Sequence, residues 1–350
     1  MYEGKLCYSQ EGEDVLIERI LHNINYSGSY IDVGAHHPIK LSNTYKFYCA
    51  GWRGINIEAT PGSSSLFNKV RPHDINIEAP VFDKEEELIF YMFNQPELNT
   101  FSKEHAKQWD GKGDIRIIEK RKLRTSILNK IIESTYPNSK VFDMLSIDVE
   151  GLDLRILKTV NFEKYNFNFV IIEDDVTMDG ISSSQIFEFL YSKGYKLQSK
   201  LFLSSIYYFD YSSAPGQKYL ERLGIDVAPE LLTMSTSASR IIDSVVEIND
   251  VLNKDKPIIL VDQGEWAIGN KLGTRKVLPF LEKEGQYWGP PSTDDEAITE
   301  LERQRKSGVA SIVFAWPSFW WLGYFKGMTE YLNQSCKKIL QNDRIIVYKF

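Results

Sequence analysis

Short apolar runs alternate with amphipathic runs through residues 29–210, and this alternation constrains the fold more than any other feature. Strands separated by helical segments are typical of βαβ units and predict a mainly parallel sheet. The strand-like runs are SYIDVGA (29–35), GINIEA (54–59), DINIEAPVF (74–82), EELIFYMF (86–93), IRIIEKRKL (115–123), MLSID (144–148) and FNFVIIEDD (167–175).

The run KLQSKLFLSSIYYFD (196–210) predicts an antiparallel hairpin at the end of this sheet. A mainly parallel sheet that ends in a hairpin indicates a doubly wound layout, in which ligands bind outside the carboxyl ends of the strands. Residues 94–114 are polar and rich in turn formers, so we expect a mobile excursion there.

A second, smaller α/β domain is expected after the rhythm breaks near residues 211–218. A chain of 350 residues favours two domains, and we set them at 1–212 and 213–350. The second contains strand-like runs at 257–262, 310–316 and 344–350, and helical patterns over 293–307 and 318–332.

Composition excludes several classes of protein. The net charge of −7 argues against non-specific binding of nucleic acid, which needs a basic surface. No apolar run approaches the roughly 20 residues of a transmembrane segment, and the polar, acidic first residues do not resemble a signal peptide. The three cysteines lie far apart and form no disulfide framework. We therefore expect a soluble cytoplasmic protein.

Gly34 and Glu58 follow the first two strands and indicate an adenosine-containing cofactor. Gly34 stands alone where a dinucleotide-binding loop would have three glycines, which disfavours NAD and FAD and fits S-adenosylmethionine, a cofactor without phosphate. Glu58 lies about two dozen positions later, where a carboxylate accepts hydrogen bonds from ribose hydroxyls. An ordinary strand turn and an exposed glutamate remain the alternatives.

Five motifs resemble the FkbM family of S-adenosylmethionine-dependent methyltransferases. They cover about residues 7–210 in the family's order: SQEGED (9–14), YIDVGAHHP (30–38), SNTYKFYCAGWRGINIEATP (42–61), INIEAPV (75–81) and LSIDVEGLDLRIL (145–157). The resemblance implies a Rossmann-like class I methyltransferase fold and methyl transfer, commonly to a hydroxyl of a sugar or natural product.

The resemblance also assigns roles to single residues. It implies that Asp32, Gly34 and Ala35 line the methionine part of the cofactor and that Glu58 holds the ribose. Asn76 to Ala79 would border the adenine, and Gln10 and Glu13 would cover the cofactor. It further implies that Asp148, at the end of the fourth parallel strand, faces the methyl group, with Glu173, Asp174 and Asp175 beside it at the end of the fifth.

These carboxylates suit several kinds of chemistry. A sugar hydroxyl needs a base or a metal before it attacks efficiently. Asp148 could take the proton, or Asp148 with Glu173 or Asp174 could hold Mg²⁺, which prefers oxygen ligands. Glu150 could bind the acceptor. Alternatively, Asp148 or Glu150 accepts hydrogen bonds from the backbone at the start of the following helix.

Two histidines are further candidates, because imidazole titrates near neutral pH. His37 is a rival catalytic base, and His36 a substrate contact. Asn43 and Thr44 belong to an SNT sequence that favours a helix start but leaves room for substrate contact. We interpret His73 and His105 as surface residues.

The C-terminal region is rich in tryptophan, at positions 288, 316, 320 and 321. Some of these side chains belong in a core, and exposed ones bind sugar rings or a partner surface. The region resembles modules attached to surface-glycan biosynthesis enzymes, so a homo-oligomer or a glycan-biosynthesis partner is expected to use it.

The sequence therefore predicts an O-methyltransferase of polysaccharide biosynthesis, acting on a sugar, surface glycan or glycosylated metabolite. A catalytically silent scaffold that binds a glycan or a partner is one alternative. Methyl transfer to a carboxylate or an amine is the other.

Overall fold

The structure, a computed structural model, describes residues 5–21, 24, 28–137, 141–223, 236–266, 271–272 and 275–350. The chain forms two compact units, Met1–Asp210 and Tyr211–Phe350. In the described part of the chain, no helix combines the length and the hydrophobicity that crossing a bilayer requires.

The N-terminal unit alternates strands and helices. Its strands are β1 (Ser29–Val33), β2 (Arg53–Glu58), β3 (Ile75–Glu78), β4 (Val81–Phe82), β5 (Glu87–Phe93), β6 (Ile117–Arg124), β7 (Ser126–Ile127), β8 (Val141–Ile147), β9 (Asn166–Glu173), β10 (Tyr195–Lys200) and β11 (Ser204–Phe209). Its helices are α1 (Glu13–Leu21), α2 (Tyr45–Cys49), α3 (Ser63–Val70), α4 (Lys103–Trp109), α5 (Leu128–Thr135), α6 (Asp153–Leu157) and α7 (Gln185–Ser192).

A seven-stranded sheet organises this unit, in the order β10-β11-β9-β8-β1-β2-β3. The β3, β2, β1, β8 and β9 strands are parallel, and β11 pairs antiparallel with both β9 and β10. The predicted α/β fold, a mainly parallel Rossmann-like sheet with a terminal antiparallel hairpin, is confirmed. Strands β1, β2, β8 and β9 are buried almost throughout, as expected for parallel strands with both faces covered.

The order of strands fixes where a ligand can bind. From β1 the chain runs to β2 and β3 on one side, and later to β8 and β9 on the other. The carboxyl ends of β1 and β8 therefore flank the point where the order reverses, which is the usual ligand site of a doubly wound sheet.

Residues 94–114, expected to form a mobile excursion, contain a 3₁₀ turn at Pro96–Leu98 and helix α4. The local cause is a helix cap, because the Ser102 hydroxyl accepts a hydrogen bond from the His105 backbone N–H. The flanking strands β5 and β6 pair as an antiparallel two-stranded ribbon.

The C-terminal unit has a smaller mixed sheet of six strands, β13-β14-β12-β17-β19-β18. The strands of the unit are β12 (Ile258–Val261), β13 (Lys271–Leu272), β14 (Arg275–Pro279), β15 (Glu282–Lys283), β16 (Gln286–Tyr287), β17 (Ser311–Ala315), β18 (Lys337–Gln341) and β19 (Ile345–Lys349). Strands β15 and β16 form a separate two-stranded sheet. Its helices are α8 (Ala214–Leu223), α9 (Thr236–Val251), α10 (Asp294–Lys306), α11 (Trp320–Tyr324) and α12 (Lys326–Ser335).

The aromatic segment of this unit divides between core and surface. Trp321 is fully buried in a cluster with residues of β12, β17 and α12, whereas Trp288, Trp320 and Tyr324 are exposed. The single helix predicted over 318–332 is two helices, because Phe325 between them leaves the helical region of backbone conformation. Trp321 and Phe325, four positions apart, are buried, and Trp320 and Tyr324, also four apart, are exposed, as helical periodicity requires.

Candidate active site

A cavity of about 910 Å³, counted to its open mouth, lies at the carboxyl ends of β1, β2 and β8. Ten of the predicted site residues line it: Gln10, Asp32, Gly34, Ala35, His36, Asn43, Glu58, Ala79, Asp148 and Glu150. Residues of the 94–114 segment complete its wall, among them Asn99, Thr100 and Phe101.

Gly34 is required by the packing of two loops. It has a φ of +79°, and a Cβ at this position would lie 1.6 Å from the backbone oxygen of Asp148. The prediction attributed this glycine to the close approach of a cofactor. The structure gives a different reason, since glycine lets the loop after β1 touch the loop after β8.

The backbone N–H groups of the first three residues after β1 are engaged within the protein. Those of Gly34 and Ala35 donate to the Ile57 carbonyl, at 2.9 and 3.1 Å. That of His36 donates to the Glu58 carboxylate at 2.8 Å. A pyrophosphate-binding loop instead presents free N–H groups to its ligand.

Glu58 is held firmly at the end of β2. One carboxylate oxygen accepts from the His36 N–H and the other from the Thr60 N–H, each at 2.8 Å. Two carboxylate oxygens offer about four lone-pair positions. Capacity for two further hydrogen bonds therefore remains on a side chain that lines the cavity.

Asp32 is anchored by a buried polar network beneath the cavity. Its carboxylate accepts a hydrogen bond of 2.7 Å from the Thr44 hydroxyl, which in turn accepts from two nitrogens of the buried Arg71 guanidinium. Burial raises the pKa of Asp32. Thr44, predicted to contact substrate, is fully buried, and its hydroxyl serves Asp32 and Arg71.

Asp148, Glu150 and Glu173 form an acidic cluster in which one oxygen of each lies within 4.8 Å of the others. Burial, followed by the charges of Glu150 and Glu173, raises the pKa of Asp148 well above its ordinary value. Burial, followed by the charge of Asp153, raises the pKa of Glu173 to about 8. Glu173 therefore keeps its proton at neutral pH.

The loop from Asp148 to Gly151 turns the cluster toward the cavity. Glu150 has a φ of +53°, in the left-handed region that non-glycine residues rarely occupy. Asp153 stabilises this turn, because its carboxylate accepts from the N–H groups of Val149 and Gly151 at 3.0 and 3.1 Å. Asp153 thus has the helix-start role that was the alternative for Asp148 and Glu150.

His105 is a contact that sequence reasoning missed. Its Nε2 lies 3.0 Å from a carboxylate oxygen of Glu150, and Thr100 donates to the Glu150 backbone oxygen at 2.8 Å. The prediction of a surface histidine is wrong, because the side chain is largely buried. The capping sequence at Ser102 is the one signal that could have indicated a helix carrying His105.

Several predicted residues lie outside the cavity lining, each with another partner. The His37 Nδ1 accepts from the N–H groups of Ile39 and Lys40, both at 3.0 Å, and burial, then the charges of His36 and Lys40, lower its pKa. The Asp174 carboxylate accepts from the Ser184 hydroxyl at 2.6 Å.

Glu13 and Asn76 also have structural partners. Glu13 accepts a hydrogen bond from the Ser204 hydroxyl and thereby connects α1 to β11. Gln10, three positions earlier, lines the cavity. Asn76 receives a hydrogen bond from Asn56 and donates to the Arg71 backbone oxygen. Neither residue lines the cavity.

Comparison with protein families agrees with this geometry. A family model described as the methyltransferase FkbM domain matches residues 32–197. Residues 32–197 belong to the FkbM methyltransferase family. The match begins after the SQEGED motif and ends within β10, so the FkbM domain contains every strand of the parallel part of the sheet except the first residues of β1. No curated protein matches the chain significantly.

Proposed function

We propose that this FkbM protein is an S-adenosylmethionine-dependent O-methyltransferase acting on a hydroxyl of a sugar, surface glycan or glycosylated metabolite. The observation that carries the proposal is a single cavity lined by both Glu58 and Asp148. Because β1 lies between β2 and β8, the two strand ends are roughly 10 Å apart. Glu58 would hold the ribose and Asp148 would face the methyl group.

The residues present fit this cofactor. The N–H groups after β1 are already engaged, which suits a cofactor without phosphate better than a dinucleotide. Glu58 keeps acceptor capacity for ribose hydroxyls. The acidic cluster favours a positively charged sulfonium, since anionic groups stabilise a nearby cation.

When bound, the cofactor supplies an electrophilic methyl carbon. Asp148 accepts the proton of the acceptor hydroxyl, and its raised pKa makes its ionised form a stronger base. Asn43 and His36 line the same space and would hydrogen-bond the acceptor. Residues 96–101 help to close the cavity, which orients the acceptor and excludes water.

A variant of the proposal adds Mg²⁺ at the acidic cluster. Three carboxylates fit a hard cation, and they would be Asp148, Glu150 and Glu173. Asp174, expected as a ligand, is engaged by Ser184. A cation held there would acidify the acceptor hydroxyl. Calorimetric titration of Mg²⁺ into the wild type and Glu173→Gln tests this variant without an activity assay.

Calorimetry with S-adenosylmethionine tests the main proposal. We expect micromolar binding by the wild type and loss of binding in Glu58→Ala. Absence of binding by the folded wild type would instead favour a catalytically silent scaffold. Radiolabelled methyl transfer to a panel of nucleotide sugars and oligosaccharides then tests the acceptor class. Activity that survives in Asp148→Asn with a chelator present would favour a carboxylate or an amine as acceptor.

For the C-terminal unit we propose a binding role. Trp288, Trp320 and Tyr324 expose aromatic surface, and such rings stack on sugars or anchor a partner. Binding of an oligosaccharide panel by the wild type and by Trp320→Ala, measured with the full chain, tests this role. Equal binding by both proteins would rule out a contribution from Trp320.

A further inference from the structure

The ribbon formed by β5 and β6 carries an unusual concentration of positive charge. Strand β6, with the sequence IIEKRKLR, has four cationic residues and one acidic residue, whereas the whole chain has a net charge of −7. Every residue from Ile118 to Lys122 is exposed. This positive charge is therefore presented to the surroundings.

The strand register defines one cationic face of the ribbon. Residues directly opposite each other in an antiparallel pair share a face. Lys122 lies opposite Ile89, and Lys120 lies opposite Tyr91. Side chains alternate between the faces of a strand, so Phe90, which lines the cavity, points to the other face. The cationic face is thus directed away from the cavity.

The cations of this face are weakly paired. Arg121, on the opposite face, pairs with Glu119. In contrast, no carboxylate of a described residue lies within ion-pair distance of Lys122 or Arg124. Lys120 lies over the Tyr91 ring at 5.5 Å. Glu87, opposite Arg124 in the register, offsets part of the charge and leaves the face net positive.

Two exposed isoleucines accompany these cations. Ile89 is 42% exposed, and Ile118, the extra residue of a bulge in β6, is 61% exposed. Cations that contact anionic headgroups, together with apolar side chains that enter the interface, are typical of surfaces that lie on a membrane. A soluble polyanion would engage the cations and leave the isoleucines in water.

We propose that the cationic face of the β5–β6 ribbon docks onto an anionic lipid bilayer. The inference is independent of methyl transfer, because it rests on a face of the ribbon directed away from the cavity.

Co-sedimentation of the full chain with vesicles of phosphatidylcholine, with or without phosphatidylglycerol, tests the proposal. We expect binding only to the anionic vesicles and a decline with added salt. Each cation strengthens such binding by roughly fivefold, so Lys120→Gln/Lys122→Gln should weaken it about 25-fold. Ile118→Ser should weaken it severalfold and leave the salt dependence unchanged.

The matched control is Lys337→Gln/Lys338→Gln, which removes two exposed lysines from strand β18 and should bind as the wild type does. Circular dichroism checks that each variant is folded. The proposal is overturned if the wild type ignores anionic vesicles, or if both double variants lose the same affinity. Wild-type binding to heparin but not to vesicles would also overturn it and would assign the face to a soluble polyanion.

Discussion

Two strand ends in the N-terminal unit carry acids that are held in opposite ways. At the end of β2, the Glu58 carboxylate accepts two backbone hydrogen bonds. After β8, no hydrogen bond to the Asp148 side chain is found among the described residues, and the nearest charged groups are the acids Glu150 and Glu173. Both acids line the same cavity.

The difference indicates a division of labour between binding and chemistry. Backbone donors fix the orientation of the Glu58 carboxylate, which can accept from neutral hydroxyls. Burial, followed by the charges of Glu150 and Glu173, raises the pKa of Asp148 and favours its binding of a proton or a cation. The end of β2 is thus suited to holding a ligand, and the end of β8 to changing one.

The largest predicted effect is on the rate of methyl transfer. Asp148→Asn removes the proposed base and should lower the rate of methyl transfer by about 10² to 10⁴, with little change in cofactor affinity. Single-turnover assays with the acceptor found in the panel measure the rate, and calorimetry measures the affinity. If Asp148→Asn lowered both the cofactor affinity and the rate, binding and chemistry would not be separated between the ends of β2 and β8.

The next effect is on cofactor affinity. Glu58→Ala should weaken S-adenosylmethionine binding by about 100-fold, because two charge-assisted hydrogen bonds are lost. Glu58→Gln keeps the shape and one acceptor oxygen, so it should weaken binding less. Calorimetry measures the affinities of Glu58→Ala, Glu58→Gln and Asp148→Asn for S-adenosylmethionine. Equal losses in Glu58→Ala and Asp148→Asn would contradict it.

A third prediction concerns stability and pH. The pKa of Glu173 is raised to about 8 from an ordinary value near 4.5. The stability linked to its protonated form is complete below about pH 4.5 and is lost as the pH rises through 8. Glu173→Gln should therefore gain up to about 5 kcal/mol over the wild type at pH 9, and nothing at pH 4.

Urea unfolding at the two pH values measures this gain. The control is Glu188→Gln, which changes an exposed glutamate on α7 and should behave as the wild type at both values. A gain that is the same at pH 4 and pH 9 would show that Glu173 is not strained by its neighbours.

The sequence located Glu58 and Asp148 for a physical reason. An apolar strand that ends in an acid puts the acid at the sheet edge where ligands bind, and both side chains line the cavity. The parallel sheet followed equally from the spacing of apolar runs. These features depend on periodicity along the chain, which a single sequence contains.

Features that depend on three-dimensional proximity could not be predicted. Thr44 looked free for substrate, but Arg71, from the end of α3, reaches its hydroxyl. The helix-start role of Asp153 depends on the left-handed backbone of Glu150. Nothing in the sequence near His105 indicates that α4 brings it to Glu150.

The smallest predicted effect concerns Glu150, to which the contrast between the two strand ends applies only in part. Glu150 belongs to the β8 cluster, yet it has a partner in His105. His105→Gln should lower kcat/KM for methyl transfer by about three- to tenfold. The substitution removes the contact between Glu150 and the 94–114 segment, so the acceptor is oriented less well. The change should fall mainly on KM for the acceptor, with cofactor affinity unaltered.

Steady-state kinetics of His105→Gln beside His73→Gln, a change at an exposed histidine, measure this split. A positioning role raises the KM of the acceptor and leaves the pH profile of kcat in place, since His105 does not line the cavity. A loss of kcat with a shifted pH profile would instead make His105 part of the proton path. The acidic cluster after β8 would then work through His105, which contacts Glu150. The contrast between a partnered Glu58 and an unpartnered base after β8 would no longer hold.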